Sequence, residues 1–251
     1  MRRARSHYDN RENETLLMNA ASFETIDVVN FLLRMQEYVD VNAKDNKGNT
    51  ALHHAMNNTN KIQRLKIVSS LIESEVSVDE KNISGQTALM QIVQHGTVED
   101  VSLLIKNGAN INFKNNHSQS SLLHLAIHNC NDEECLKITT LLLEKGANID
   151  EQCEKGFTSL MLAVLYRKPN IVKILVKYKA NLDIQNVYFK TALQLALCND
   201  ACPKSESCAQ ILLEAEANPY VLDKEDYSSS QLPKSFSDLL KYLDKDIITQ
   251  Q

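Results

Sequence analysis

The chain has 251 residues, enough for one large domain or two small ones. Lys and Arg number 27 and Asp and Glu number 32, which gives a net charge of −5 at pH 7. Nucleic acids and anionic membranes are bound by basic surfaces, so this balance argues against both as general partners.

No stretch of the sequence approaches the roughly 20 consecutive apolar residues that cross a membrane. The opening segment, MRRARSHYDNRENE, has the basic start of a signal peptide but no apolar segment after it. We therefore expect a monomeric protein of the cytoplasm, the nucleus or both. We expect no cofactor, no metal and no nucleic-acid or membrane partner.

A six-residue block recurs along the chain at intervals of 35, 37, 34, 37 and 33 residues. Its copies are TLLMNA from Thr15, TALHHA from Thr50, TALMQI from Thr87, SLLHLA from Ser121, TSLMLA from Thr158 and TALQLA from Thr191. The opening Thr or Ser is a preferred helix N-cap, and apolar residues three apart share one helical face. A second apolar block follows each copy, as in IVKILVKYKANLD, with the i, i+3, i+4 spacing of a half-buried helix. Each unit is thus predicted to contain two helices.

The repeated block, with a glycine two residues before it in three units (Gly48, Gly85 and Gly156), resembles the ankyrin repeat. That family's unit of about 33 residues is a β-turn and two helices with the signature T-P-L-H-x-A. The resemblance covers about residues 13–223. It implies an all-α solenoid of six to seven helix-turn-helix units with β-turn fingers, in which a signature histidine hydrogen-bonds the preceding turn.

This sequence departs from the family pattern at several positions. The signature proline is absent from all six blocks, and the signature histidine survives only as His53 and His124. Gln119 and Phe189 stand where two later units would have the turn glycine. We expect lower stability than in an idealised array, without a change of fold.

The repeats predict one domain over residues 13–244, between a flexible tail at 1–12 and a second tail at 245–251. The unit at the N-terminal end is interpreted as a capping repeat. The repeats fall at about 13–45, 46–81, 82–114, 115–152, 153–185 and 186–223, followed by a degenerate C-terminal cap at 224–244.

Units two, four and six each carry about four extra residues between their helices, at 57–63, 129–134 and 199–207. We expect three longer loops along one edge, either as tolerated insertions or as a second docking ridge. Five of the six cysteines lie in or beside these segments. They are interpreted as reduced thiols, with a three-ligand metal site of His128, Cys130 and Cys135 as the alternative.

In ankyrin proteins, the turn tips and the exposed face of the first helices usually bind partners. In units two to four these positions are mostly polar: Asn46, Lys47, Asn57, Asn58, Ser84, Gln94, His95, His117 and Asn129. The histidines at variable positions are His95, His117 and His128. They either cluster and bind a partner in a pH-dependent way or are scattered over the surface.

Units five and six differ because the same positions are apolar or aromatic. They are Phe157, Leu165, Tyr166, Val187 and Tyr188, bordered by the cations Lys155, Arg167, Lys168 and Lys190. An apolar, aromatic centre with a charged rim is typical of a binding hot spot. The alternative is that Phe157 and Tyr188 pack sideways between neighbouring turns.

The sequence contains no phosphate-binding loop, dinucleotide fingerprint, nucleophile elbow or H-E-x-x-H motif, and we predict no enzyme. The resemblance implies a protein-protein interaction module, a scaffold, adaptor or inhibitor that binds through its concave face and turn tips. Two alternatives stay open. One is a substrate adaptor of a ubiquitin ligase, since QLPKSFSDLLKYL loosely resembles the end of a SOCS box. The other is a secreted effector of a pathogen or symbiont.

Overall fold

The computed structural model describes residues 12–35, 38–129, 131–198, 203–219 and 221. These ranges contain six helix pairs. The first helices of the pairs are α1 (Leu16–Phe23), α3 (Ala51–Ala55), α5 (Ala88–Val93), α7 (Leu122–Ile127), α9 (Ser159–Leu165) and α11 (Ala192–Cys198). The second helices are α2 (Ile26–Arg34), α4 (Lys61–Glu73), α6 (Val98–Lys106), α8 (Asp132–Glu144), α10 (Pro169–Lys177) and α12 (Pro203–Glu214). Among these helices, none is both long and apolar enough to cross a lipid bilayer.

The chain divides into two compact units, residues 1–147 and 148–251. In the first unit, α1, α3, α5 and α7 pack in sequence to form one layer, and α2, α4, α6 and α8 form the other. In the second unit, α9 packs on α11 and α10 packs on α12. The all-α repeat fold is therefore confirmed. The domain boundaries stay a prediction, and the expected cap at 224–244 and tail at 245–251 lie outside the described residues.

The core is built from the positions that the six-residue block marks as apolar. The third residue of each block is at most 1% exposed: Leu17, Leu52, Leu89, Leu123, Leu160 and Leu193. The hydroxyl of the block's first residue caps the helix that follows it. In the third repeat, for example, Thr87 Oγ1 accepts from Met90 N at 3.3 Å. Each short first helix thus begins where the sequence predicts.

The turn before each first helix requires a left-handed backbone. Gly85 and Gly156 adopt φ of 71° and 72°, and Gln119 and Phe189 adopt 52° and 57° at the corresponding positions. The fold imposes this conformation although residues with a Cβ are strained in it. At Gly156 an added Cβ would also lie 2.9 Å from the backbone nitrogen of Val187, so the turns approach each other closely.

The signature histidine connects two repeats rather than only the turn before it. His53 Nδ1 accepts from Thr50 N at 3.2 Å, and its Nε2 lies 3.0 Å from the carbonyl oxygen of Gln86 in the next repeat. Gln194 copies this arrangement in the sixth repeat. Its side chain accepts from Thr191 N at 2.9 Å and donates to Val221 O at 2.8 Å. The role is structural, as expected.

The expected longer loops of repeats two and four are wrong, because the extra residues extend the second helix. α4 and α8 have 13 residues and α12 has 12, whereas α2, α6 and α10 have 9. Asn60 caps α4 by accepting from Ile62 N and Gln63 N, and Asn131 caps α8 in the same way. These early caps let a helical turn replace a loop. Residues 199–202 of repeat six lie outside the described ranges.

Two asparagines expected on the surface are instead buried. Asn58 donates to the carbonyl oxygens of Ala21 and Glu24 in the preceding repeat, at 3.3 and 3.4 Å. Asn129 makes the corresponding bonds to Val93 O and Gly96 O, at 3.2 and 3.3 Å. Each amide thereby pairs carbonyl groups at the end of a first helix, which cannot find partners within that helix.

The extra helical turn also serves the repeat before it. Gln63 Oε1 accepts from the backbone N of Ile26 at 3.0 Å, and Glu134 Oε2 accepts from that of Val98 at 2.7 Å. Both amides belong to the first residue of a 9-residue helix, where no intrahelical acceptor exists. In repeat six the corresponding residue is Lys204, which cannot accept a hydrogen bond. The first residue of α10 is Pro169, which has no N–H to donate.

A buried ion pair connects the second and third repeats. Arg64 Nε and Nη2 donate to the two carboxylate oxygens of Asp100 at 2.9 and 2.6 Å, and Nη1 donates to Asn58 O at 2.7 Å. Asp100 also accepts from Thr97 N at 2.9 Å and so caps α6. Both side chains are at least nine-tenths buried. Removing one partner therefore leaves a buried charge without compensation.

Arg64→Cys should lower the free energy of unfolding by about 3–5 kcal/mol, because the carboxylate of Asp100 loses its buried partner. The positions 71 residues further on hold Cys135 and Ile171, both buried. The double variant Arg64→Cys, Asp100→Ile should therefore be more stable than Arg64→Cys. It should remain less stable than the wild type, by about 1 kcal/mol for the lost cap of α6 and about 1 kcal/mol for the lost bond to Asn58 O. Urea unfolding checks this. A double variant less stable than the single one would contradict the account.

Burial lowers the pKa of His53 below its ordinary value of 6.5. The unfolded chain then binds a proton below pH 6.5 that the folded chain binds less readily, so acidification favours unfolding. His53→Gln should copy Gln194 and make the urea midpoint fall less between pH 7.5 and pH 5 than in the wild type. His117→Gln, at an exposed site, is the control and should keep the wild-type pH dependence. If the urea midpoint falls equally in the wild type and in His53→Gln between pH 7.5 and pH 5, the prediction is contradicted.

Candidate protein-binding surface

The apolar positions expected in repeats five and six are found at two places on the second unit. Val187 and Tyr188 lie in a turn and are 52% and 59% exposed. Tyr166 follows α9 and is 45% exposed, with Leu165 half-buried beside it in sequence. Phe157, before α9, is also half-buried. Large apolar side chains that stay this exposed are typical of interaction sites when they are adjacent.

Neighbouring turns bring one group of these residues together, which we call the turn patch: Lys155, Phe157, Val187 and Tyr188. The rings of Phe157 and Tyr188 meet edge to face, with centroids 6.3 Å apart. Val187 N donates to Lys155 O at 3.2 Å, which holds the two turns side by side. The rings thus contact each other, as the alternative supposed, while Tyr188 remains exposed.

Leu165, Tyr166 and Arg167 lie at the other end of α9. A seven-residue helix is about 10 Å long, so this group is separated from the turn patch by roughly that distance along the helix. Arg167 is exposed and has a φ of 55°, which ends the chain's helical path. The expected single patch is therefore two smaller patches, one near each end of α9.

The histidines His95, His117 and His128 are all exposed. His95 Nε2 lies 3.3 Å from Met56 O in the preceding repeat. In the part of the chain that the structure describes, no group of three close metal-ligating side chains includes any of them. Of the alternative metal ligands, Cys130 lies outside the described residues and Cys135 is fully buried.

The surface of the first unit carries ion pairs between successive repeats. Lys44 and Glu80 approach to 2.6 Å, and Lys61 and Glu99 to 3.0 Å. The pKa of Glu99 falls to about 2 because its own backbone amide in the first turn of α6, then Lys61 and then Thr97, hydrogen-bond to the carboxylate. Lys61 and Glu99 belong to the second helices α4 and α6, so this pair lies apart from the turn-tip positions named for repeats two to four.

Sequence reasoning missed an apolar surface on the first repeat. Its residues are Leu16, Phe23, Val28 and Phe31, which are between 39% and 81% exposed. The corresponding residues of repeat three, 72 positions further on, are covered by repeat two: Ala88 is fully buried, His95 approaches Met56, and Asp100 binds Arg64. The outer face of repeat one is thus apolar rather than the polar face expected of a capping repeat. The signal was present in VVNFLLRM, which is apolar on more than one helical face.

The sequence profile described as ankyrin repeats (3 copies) matches residues 3–82, 60–153 and 123–223. Inversin of Canis lupus familiaris is 29% identical over 164 residues, which are 65% of this chain and 15% of inversin. Ankyrin repeat and SOCS box protein 2 of Bos taurus is 34% identical over 95 residues, 38% of this chain and 14% of that protein. The chain thus spans about one seventh of the length of each.

Two solved structures are similar in fold. The ankyrin repeat domain of Bcl-3, a member of the IkappaB protein family, has a TM-score of 0.66 and 26% identity, covering 83% of this chain and 86% of that chain. A chain of the complex between the Bd0816 predatory endopeptidase of Bdellovibrio bacteriovorus and the immunity protein Bd3460 has a TM-score of 0.63 and 26% identity. The similarity covers 80% of this chain and 98% of that chain.

Proposed function

The chain belongs to the ankyrin repeat family, and we propose that it is a non-catalytic module that binds one partner protein through the turn patch of repeats five and six. Ankyrin repeats are protein-interaction modules, so the open question is which surface binds. The exposure of Val187 and Tyr188 beside Phe157 is the observation that carries the proposal. The fold requires only a left-handed turn there, which Phe189 supplies, and not an apolar tip.

Three properties of the turn patch favour binding. Its aromatic rings are already in contact, so little side-chain entropy is lost when a partner covers them. Lys155 is exposed at its border and supplies a polar rim. The backbone hydrogen bond between the turns fixes the spacing of Lys155 and Val187 before a partner arrives.

Whether the chain acts as a scaffold, an inhibitor or an adaptor depends on which partner protein it binds. A masking role is supported by the similarity to a chain of the complex between the Bd0816 predatory endopeptidase and the immunity protein Bd3460. An adaptor role in a ubiquitin ligase is supported by the similarity to Ankyrin repeat and SOCS box protein 2 and by the segment QLPKSFSDLLKYL, which lies outside the described residues. Co-purification with cullin and elongin subunits would identify the second role.

The double variant Val187→Ser, Tyr188→Ser tests the patch. Because truncating one central hot-spot residue such as Tyr188 costs about 2 kcal/mol or more, the partner's dissociation constant should rise at least about 30-fold. Affinity purification with mass spectrometry identifies proteins captured by the wild type and lost with the variant, and titration with the purified partner gives the constant.

Phe31→Ser is the matched control, because Phe31 is 63% exposed and lies in the other compact unit. It should keep every partner that the double variant loses, and circular dichroism should show both variants folded. A partner list that is unchanged by the double variant, or changed equally by Phe31→Ser, would reject the turn patch as the binding site.

A further inference from the structure

Three side chains with metal-binding atoms meet between the first and second repeats. One ligand atom each from Glu14, Asp45 and His54 lies within 4.8 Å of the other two, the one such group in the described residues. His54 Nε2 and Asp45 Oδ2 are 3.0 Å apart. The side chains of Asp45 and His54 are 1% and 10% exposed, and Glu14 is half-buried.

The fold itself does not require a histidine at this position. The residues corresponding to His54 are Asn19 and Gln91 in repeats one and three, and Leu125, Leu162 and Leu195 in repeats four, five and six. The signature role of binding the next turn belongs to His53, the neighbouring residue. The imidazole of His54 is therefore an addition to the repeat pattern, buried beside a carboxylate.

Ser22 gives the imidazole of His54 a hydrogen-bond partner at Nδ1, which leaves Nε2 facing Asp45. Ser22 Oγ lies 3.0 Å from the carbonyl oxygen of His54 and 3.3 Å from its Nδ1. When the hydroxyl proton goes to the nearer carbonyl, Nδ1–H can donate to Oγ; when Oγ donates to Nδ1 instead, Nε2 carries the proton and donates to Asp45. In the first tautomer the lone pair of Nε2 faces the carboxylate of Asp45, and a metal ion bound there would take the place of the proton that Nε2 carries in the second. A ligating histidine typically has such a bond from its other ring nitrogen.

The carboxylate of Asp45 is held in place by the turn. Its Oδ1 accepts from Lys47 N and Asn49 N, both at 2.8 Å, and its Oδ2 accepts from the amide of Asn49 at 3.1 Å. Oδ2 thus keeps one direction for a ligand, toward His54. The carboxylates of Glu14 and Asp45 supply negative charge that a divalent ion can balance.

We propose that Glu14, Asp45 and His54 bind a divalent transition-metal ion, with Zn²⁺ the best fit, that joins the first repeat to the second. One imidazole nitrogen and two carboxylate oxygens belong to the ligands that Zn²⁺ takes at about 2.0–2.2 Å. Ligand atoms at a tetrahedral ion are about 3.3 Å apart, close to the separation of Nε2 and Oδ2. The fourth position is open to water. No metal was expected from the sequence, in which these ligands lie in three separate segments.

Equilibrium dialysis of the chelator-treated full chain against Zn²⁺ tests the proposal. The wild type should bind one ion per chain more tightly than His54→Leu, whose dissociation constant should rise at least tenfold. Leucine is the residue of three other repeats at this position, so the variant keeps the packing. His117→Leu is the matched control, because His117 is exposed and outside the group, and it should bind as the wild type does.

Glu14→Gln gives an independent measurement, since it leaves the contact between Asp45 and His54 intact and changes a half-buried side chain. It should also weaken binding at least tenfold, and Zn²⁺ should raise the melting temperature of the wild type but not of Glu14→Gln. Absence of Zn²⁺ binding by the wild type at micromolar concentration would overturn the site, leaving a proton between His54 and Asp45. Equal binding by the wild type and both variants would place the ion elsewhere, for example on cysteines, and would also overturn it.

Discussion

The turn between the two helices of a short repeat leaves backbone groups without partners, and the side chains of the next repeat supply them. Asn58 donates to the carbonyl oxygens of Ala21 and Glu24, and Gln63 accepts from the amide of Ile26. Asn129 and Glu134 repeat the arrangement 71 residues later. An unpaired buried peptide group costs about as much as a lost hydrogen bond or more, so a short repeat depends on the longer one that follows it.

This dependence accounts for the extra turns of α4 and α8. Each extra turn of α4 and α8 carries a residue that accepts from the first amide of the preceding second helix. The same turn of α4 places Arg64 against Asp100 of the following repeat. The second repeat therefore holds the repeats on both sides of it. Such connections keep the turns in register, which a preformed binding surface needs.

Much of the fold could be predicted from one sequence because the repeated block shows its own period. Thr87 and its counterparts begin helices, and Phe189 occupies a left-handed turn, as the alignment of repeats predicts. The extra turns could not be predicted in this way, because Asn58 and Asn60 both favour loops by composition. Only the neighbouring repeat determines that Asn58 is buried and that Asn60 caps a helix.

The candidate surfaces were predictable to different degrees. Tyr188 departs from the repeat pattern in an exposed turn, so comparing repeats was enough to find it. Contact between its ring and that of Phe157 depends on the approach of two turns, which the sequence does not specify. His54 also departs from the pattern, but its approach to Glu14 and Asp45 depends on packing between repeats.

Native-state hydrogen exchange at the amides of Ile26 and Val98 tests most directly whether neighbouring repeats complete each other's backbone hydrogen bonds. Gln63→Ala should speed exchange at Ile26 several-fold and leave Val98 unchanged, whereas Glu134→Ala should speed exchange at Val98 about tenfold and leave Ile26 unchanged, since a hydrogen bond to a charged group is stronger. Unchanged exchange at both amides, or faster exchange throughout the chain with either variant, would contradict this account.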